Sequence, residues 1–253
     1  MRVLTGWRQW ASAGLRKARG ELAAVAALLI AASGVWAFLS IAEEVGEGDT
    51  HSMDLAVLEM LRMTGDPTHA VGPPWLRESL TDVTALGSLT VLGLVVLLVA
   101  GLFASLRHWR DAAVLVGASL GGVAISQGLK AVFGRERPPE AFRIVEAYNP
   151  SFPSGHAMLS AVVFLTLGVL AARFASRRRV KVFVLSAAIV LTLLVGISRV
   201  FLGVHWATDV LAGWCVGAAW AMVCWLAVWV LGRGWRAPRE AAVERETAAE
   251  RTP

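Results

Sequence analysis

The chain alternates long apolar stretches with short polar ones. Apolar runs fall near residues 22–42, 84–106, 112–129, 157–172, 182–198 and 206–231. A helix needs about 20 mostly apolar residues to cross a hydrocarbon core of about 30 Å, so each run predicts one transmembrane helix. The expected fold is all-α: a polytopic bundle of six membrane helices forming a single domain over 22–231. A basic segment, 1–21, precedes it. A tail, 232–253, mixes Arg and Glu with Ala and Pro and reads as solvated and mobile.

Composition agrees with the pattern. The chain is 56% hydrophobic and 17% charged, with a mean hydropathy of +0.60, against about 45–50% apolar and about 25% charged in a soluble domain. The first run follows Arg2, Arg8, Arg16, Lys17 and Arg19, as the apolar core of a signal peptide would. It exceeds the usual length of about 7–15 residues for such a core and reads as a retained helix. Lys and Arg then set the orientation. With a cytoplasmic N-terminus, the inner segments 1–20, 107–111, 173–181 and 232–253 hold five, two, five and five of the 24 basic residues. Both termini are therefore expected in the cytoplasm. The net charge of +5 and the pI near 10 reflect this asymmetry and contact with anionic headgroups rather than a nucleic-acid module.

Residues 43–82 form an outer loop that begins acidic (Glu43, Glu44, Glu47, Asp49) and contains "MDLAVLEMLRM". Its Leu and Met recur at helical spacing, which predicts an amphipathic helix lying in the outer interface. "GPPWLRES" reads as a turn with Pro near the start of a helix that runs into the second span. Gly117 with Gly121, and Gly213 with Gly217, have the spacing of close helix packing. Cys215 and Cys224, nine apart on one helix, face opposite sides and do not pair. No C-x-x-C, H-E-x-x-H or P-loop pattern is present, so no metal or nucleotide cofactor is expected.

Three polar clusters break the apolar pattern: "SQGLKAVFGRERPP", "PSFPSGHAM" and "SRVFLGVHWATD". Alternating topology puts all three at the outer face. An ionisable group within the hydrocarbon costs at least about 2.5–3.5 kcal/mol on insertion scales, so they are expected to point inward, into one shared site. Lys130, Arg137 and Arg199 match phosphate: an arginine fork grips two oxygens and a lysine adds a point charge. Ser154 is the expected N-cap of a helix whose free N–H groups, at Gly155 and His156, face the same anion. His205 and Asp209, four apart, share a helix face. The aspartate can hold one ring nitrogen and leave the other free to attack phosphorus. His156 is then placed as general acid.

The remaining polar residues have plainer readings. Arg135, Glu136, Glu140 and Arg143 read as solvated loop residues, Ser126 and Gln127 as interhelical hydrogen-bond partners, and Asp82 as an N-terminal helix charge. Phe142, Tyr148 and Phe152 are candidate walls for a headgroup.

The clusters spell K-x6-R-P (Lys130 to Pro138), P-S-G-H (Pro153 to His156) and S-R-x5-H-x3-D (Ser198 to Asp209). This resembles the type 2 phosphatidic acid phosphatase family, which shares its site with the vanadium haloperoxidases. The resemblance implies a helical bundle that dephosphorylates lipid phosphates in the membrane, without a metal. It assigns phosphate binding to Lys130, Arg137, Ser154, Gly155 and Arg199. His205 is implied as nucleophile, His156 as acid and Asp209 as the partner of His205. Undecaprenyl diphosphate, phosphatidylglycerol phosphate and phosphatidate are the substrates it suggests. The competing expectations are a non-catalytic lipid-phosphate binder or transporter and a vanadate-dependent haloperoxidase; the membrane spans, with His205 and Asp209 both in place, oppose them.

Overall fold

A computed structural model describes residues 2–234, with side chains described for Ala18 and for 20–230. In chain order the elements are α1 (Arg2–Glu47), α2 (His51–Met60), β1 (Arg62–Met63), β2 (Asp66–Ala70), α3 (Pro74–Ala85), α4 (Leu89–Ser105), α5 (Trp109–Phe133), α6 (Gly155–Phe174), α7 (Arg178–Phe201) and α8 (Ala207–Gly234). A 3-10 turn, Glu140–Phe142, lies between α5 and α6. Of the expected tail, 232–234 continue α8 and the rest lies outside the described residues.

Among the described residues, five helical stretches are long and apolar enough to cross a membrane: Gly20–Glu47, Trp109–Phe133, Gly155–Phe174, Arg178–Phe201 and Ala207–Val230. The second expected span, 84–106, is not a single helix. It is divided between α3 and α4, which meet at a 51° bend. Ser88 causes the restart, its side chain accepting the Val91 amide at 3.2 Å. Gly87, just before it, has no room for a side chain: a Cβ there would lie 2.4 Å from Cγ1 of Val195. The helix starting at Pro74 thus stops at the break instead of running on into the span.

Two compact units emerge. One comprises the chain up to Ala31 together with Met222 onward, the other Ala32–Ala221. The second carries the buried clusters described next and all the motif residues. Leu92, Val96, Leu115, Leu159 and Val163 form one buried cluster from α4, α5 and α6. Near the opposite helix ends, Phe38, Phe152 and Ala212 form another. Phe152 was expected to wall a headgroup. It is instead fully buried, stacked on Phe38 at 5.8 Å between centroids and edge-on to Phe133 at 5.0 Å. Aromatic burial anchors the loop before α6, which is why that ring is unavailable to a ligand.

Residues 43–82, expected as an outer loop, hold more structure than an interfacial helix. The helix is present as α2, but Asp54 and Leu58, four apart, are both fully buried. A short antiparallel β1–β2 hairpin follows, tied down by Arg62. That guanidinium donates to the Phe201 carbonyl at 3.1 Å and also to the Phe142 carbonyl. Asp82 is the ninth residue of α3, too far from its N-terminus to act as a helix-start charge. It lines a groove with Arg77, Glu78, Thr81, Ile144 and Val145.

The glycine spacings divide. In α8, Cβ atoms at Gly213 and Gly217 would stand 2.7 Å from the Ser154 carbonyl and 2.5 Å from the Met158 carbonyl, so α8 crosses α6 at backbone contact. Gly121 accommodates the Trp220 ring, whereas Gly117 has nothing within 4 Å. A helix-interior Gly→Ala change gains up to about 1 kcal/mol of propensity, while overpacking costs about 1–3 kcal/mol. Against a backbone carbonyl that cannot swing away, the second term wins. Gly217→Ala is therefore expected to lower the thermal unfolding midpoint in detergent and Gly117→Ala to hold or raise it; equal midpoints would refute the close crossing.

Candidate active site

The C-terminal ends of α5 and α7 and the N-terminal ends of α6 and α8 supply the polar clusters. Lys130 lies in the last turn of α5, which Gly134 terminates in the left-handed region (φ 56°), its N–H on the Lys130 carbonyl at 3.2 Å. Arg199 occupies the last turn of α7. Ser154 caps α6 as expected, accepting the Ala157 amide at 3.5 Å, and its own N–H donates to the Asp209 carbonyl at 2.9 Å. That last bond joins the starts of α6 and α8.

The three expected phosphate cations converge. Lys130, Arg137 and Arg199 all lie within electrostatic reach of His156, as does His205. Lys130 is 9% exposed and donates to the Pro150 carbonyl. Gly155 packs beside it: a Cβ there would sit 3.4 Å from Oγ of Ser126 and 3.6 Å from Cε of Lys130. Arg137 donates through Nε to the Asn149 carbonyl (2.7 Å) and through Nη1 to the Val204 carbonyl (2.5 Å). Burial lowers the pKa of its guanidinium; Asp209 opposes this shift and Arg143 adds to it. Arg199 is 6% exposed and spends Nη1 on Oγ1 of Thr84 at 3.0 Å, while its buried Nε has no partner. Buried donors ordinarily find acceptors, so the open Nε matches a site built to receive an anion.

The histidines stand on either side. His205 Nδ1 lies 3.3 Å from Asp209 Oδ2, and its Nε2 lies 3.3 Å from Arg137 Nη1. An arginine N–H can only donate, so Nε2 is the lone-pair nitrogen and Nδ1 carries the proton toward Asp209. His156 opens α6 and faces the α3–α4 break, its Cδ2 3.3 Å from where a Gly87 Cβ would be.

Several participants were missed in the sequence. Arg135 is not a solvated loop residue: its guanidinium bonds Asp209 Oδ1 at 2.7 Å and Asp54 Oδ2 at 2.8 Å, at 14% side-chain exposure. Arg143 is half-buried and donates to the Pro138 carbonyl at 2.7 Å, whereas Glu136 and Glu140 are exposed as expected. Ser151 donates to Asp209 Oδ2 and lies 3.3 Å from His205 Nδ1. Thr84 and Thr208 complete the set. Among the candidate headgroup walls Tyr148 is 87% exposed and Phe142 half-buried under Arg62. Among the described residues no three His, Cys, Asp or Glu side chains converge as a metal site.

A bundle of membrane helices whose ends gather three cations, a free helix N-terminus and an oriented histidine defines a membrane phosphatase. The PAP2 superfamily model matches residues 111–233. Phosphatidylglycerophosphatase B of Bacillus subtilis (strain 168) is 36% identical over 148 residues, covering 57% of this chain and 71% of that protein. The chain belongs to the PAP2 superfamily and is a multi-span membrane lipid phosphatase. A solved structure described as the transmembrane PAP2-type phosphatidylglycerolphosphate phosphatase from Bacillus subtilis superposes with a TM-score of 0.70 at 30% identity, covering 77% of this chain and 93% of that one. An undecaprenyl-diphosphatase of Sulfolobus acidocaldarius is 37% identical over 68 residues, covering 27% of this chain and 29% of that protein. These matches do not favour the binder or haloperoxidase readings.

His205 links this site to stability. Burial pushes its pKa well below the ordinary histidine range, the Asp209 bond and charge oppose the shift, and Arg137 and Arg199 add to it. The folded protein keeps the ring neutral where the unfolded chain takes up a proton. The contribution is therefore full above about pH 6.5 and is lost as pH falls, by up to about 1.4 kcal/mol per unit. In the ligand-free protein, thermal midpoints measured from about pH 7.5 down to 5 should fall less steeply for His205→Asn than for the parent. Parallel slopes would show that His205 charges as readily folded as unfolded.

Proposed function

We propose that this enzyme removes phosphate from lipid headgroups through a phosphohistidine on His205. Lys130, Arg137, Arg199 and the α6 N-terminus at Ser154, Gly155 and His156 hold the phosphoryl oxygens. The Nε2 lone pair of His205 forms a bond to phosphorus as the ester or anhydride P–O bond breaks, and His156 gives its proton to the leaving oxygen. Asp209 keeps the His205 proton on Nδ1 and balances the positive charge that the ring gains. His156 then takes a proton from water, whose oxygen attacks phosphorus, releasing inorganic phosphate and neutral His205. One observation carries this reading: His205 Nδ1 faces Asp209 while Nε2 faces the Arg137 guanidinium.

Orientation and substrate belong to the same proposal. The distribution of Lys and Arg supports cytoplasmic termini and an extracytoplasmic site. The basic segment 1–21, the membrane domain 22–231 and the tail 232–253 follow the same division. The names of the relatives support phosphatidylglycerol phosphate and undecaprenyl diphosphate as substrates, beside phosphatidate.

The test is phosphate release from these three lipids by detergent-purified protein in EDTA. Turnover is expected in EDTA, with a loss of at least about a thousandfold in His205→Ala. His205→Ala hydrolysing as fast as the parent would end the phosphohistidine mechanism. The fastest lipid distinguishes recycling of a polyprenyl carrier from phospholipid synthesis.

A further inference from the structure

Asp209 is fully buried, and its two oxygens are used differently. Oδ2 accepts the Trp206 amide at 2.9 Å and the Ser151 hydroxyl, and faces His205 Nδ1. Oδ1 accepts Arg135 Nη1 at 2.7 Å. The arginine thereby sets the rotation of the carboxylate, because holding Oδ1 keeps Oδ2 turned to the imidazole. Its own position is fixed from the far side. Nη2 donates to Asp54 Oδ2 at 2.8 Å, and the guanidinium carbon lies 5.5 Å from the Trp206 ring centroid. Asp54, buried at 0% exposure, also accepts the Thr208 amide (3.0 Å) and hydroxyl (2.6 Å).

The first turn of α8 therefore has two carboxylate caps, Asp209 from within and Asp54 from α2, with Arg135 bridging them. Acidic groups are favourable at a helix N-terminus, but two buried carboxylates beside each other require a shared cation. A bidentate guanidinium meets that requirement and a point charge does not. The helix α2 is thus joined to the carboxylate of the nucleophile's partner through Arg135, beside its direct bonds to Thr208.

We propose that Arg135, held by Asp54, is a positioning residue for the His205–Asp209 pair. α2 accordingly belongs to the catalytic apparatus rather than to the membrane interface. The proposal rests on the phosphohistidine reading. The phosphate-binding cations Lys130, Arg137 and Arg199 are a separate set, so turnover and anion binding should respond differently.

The experiment compares Arg135→Ala, Arg135→Lys and Asp54→Asn with the parent and with His205→Ala, in detergent, on whichever of the three lipids the parent turns over fastest. Inorganic phosphate as competitive inhibitor reports the cation set. Arg135→Ala is expected to lose about a hundredfold in kcat, as small misplacements at a reacting group do. KM and phosphate inhibition should stay within about threefold. Added guanidinium should restore part of kcat where ammonium does not. Asp54→Asn should show a smaller loss in the same direction. A kcat within about threefold of the parent would overturn the proposal. So would a parallel loss of kcat and phosphate inhibition with no guanidinium rescue, which marks a purely structural bridge. Where Arg135→Ala does not fold, Arg135→Lys decides: it keeps the charge but grips one carboxylate at a time, and parental kcat in it overturns the proposal. Failure of the underlying mechanism shows separately, as activity surviving in His205→Ala.

Discussion

Asp209 is fully buried, and much of the end of this molecule that holds α2 and the starts of α6 and α8 is arranged around its carboxylate. A buried carboxylate without partners would cost several kcal/mol. Four donors answer it, from three places in the chain: Arg135, Ser151, and the neighbouring His205 and Trp206. Arg135 and Ser151 each bring their segment to the start of α8, where His205 and Trp206 already stand. Through Ser151 comes the loop that Phe152 anchors in the core, through Arg135 the turn after α5, and through Asp54, which Arg135 also holds, α2. The geometry of the His205–Asp209 pair and the packing of residues 43–82 against the bundle are therefore one packing problem.

The helix ends give the site its polarity. α6 and α8 present their N-termini, where unpaired amides favour anions, and α5 and α7 present C-termini, where cations are favoured. Lys130 and Arg199 occupy the last turns of α5 and α7, so their charges complement the helices that carry them. The contact of α8 with α6 at Gly213 and Gly217 fixes how far apart the two N-termini stand. A side chain at either glycine would move His205 and Asp209 away from Ser154 and His156.

Where chemistry was encoded locally, it could be read without the fold. Ser154, Gly155 and His156 are a helix start visible in four letters, and His205 with Asp209 is a one-turn spacing. Arg135 had no such signal. It stands two residues from Arg137 in "GRERPP", and its two carboxylates lie 81 and 74 positions away. Asp54 left a trace: it falls four residues before Leu58 on the apolar stripe of an otherwise amphipathic segment, an acid on the face meant for burial. The α3–α4 break was hidden because hydropathy counts residues and not direction. Leu86, Gly87 and Ser88 are apolar or small enough to continue a span, and the contact of Gly87 with Val195 and His156 arises only when α7 and α6 are in place.

The break also bears on how a lipid phosphate is received. Such a substrate needs donors at one end and an apolar surface at the other, so its site has to lie where polar helix ends meet lipid-facing helix sides. α3 and α4 change direction at that level. Thr84, in the last turn of α3, takes the Arg199 Nη1 bond and leaves the Arg199 Nε free, while Gly87 abuts His156. Leu89, Leu94, Leu97 and Leu98 on α4 are exposed, an apolar flank that begins two residues past Gly87. The bend thus brings a donor's partner, the histidine proposed as acid and an apolar helix side together within six residues of chain, from Thr84 to Leu89. A straight helix through 84–106 would supply the apolar side without the turn that puts Thr84 and Gly87 against the site.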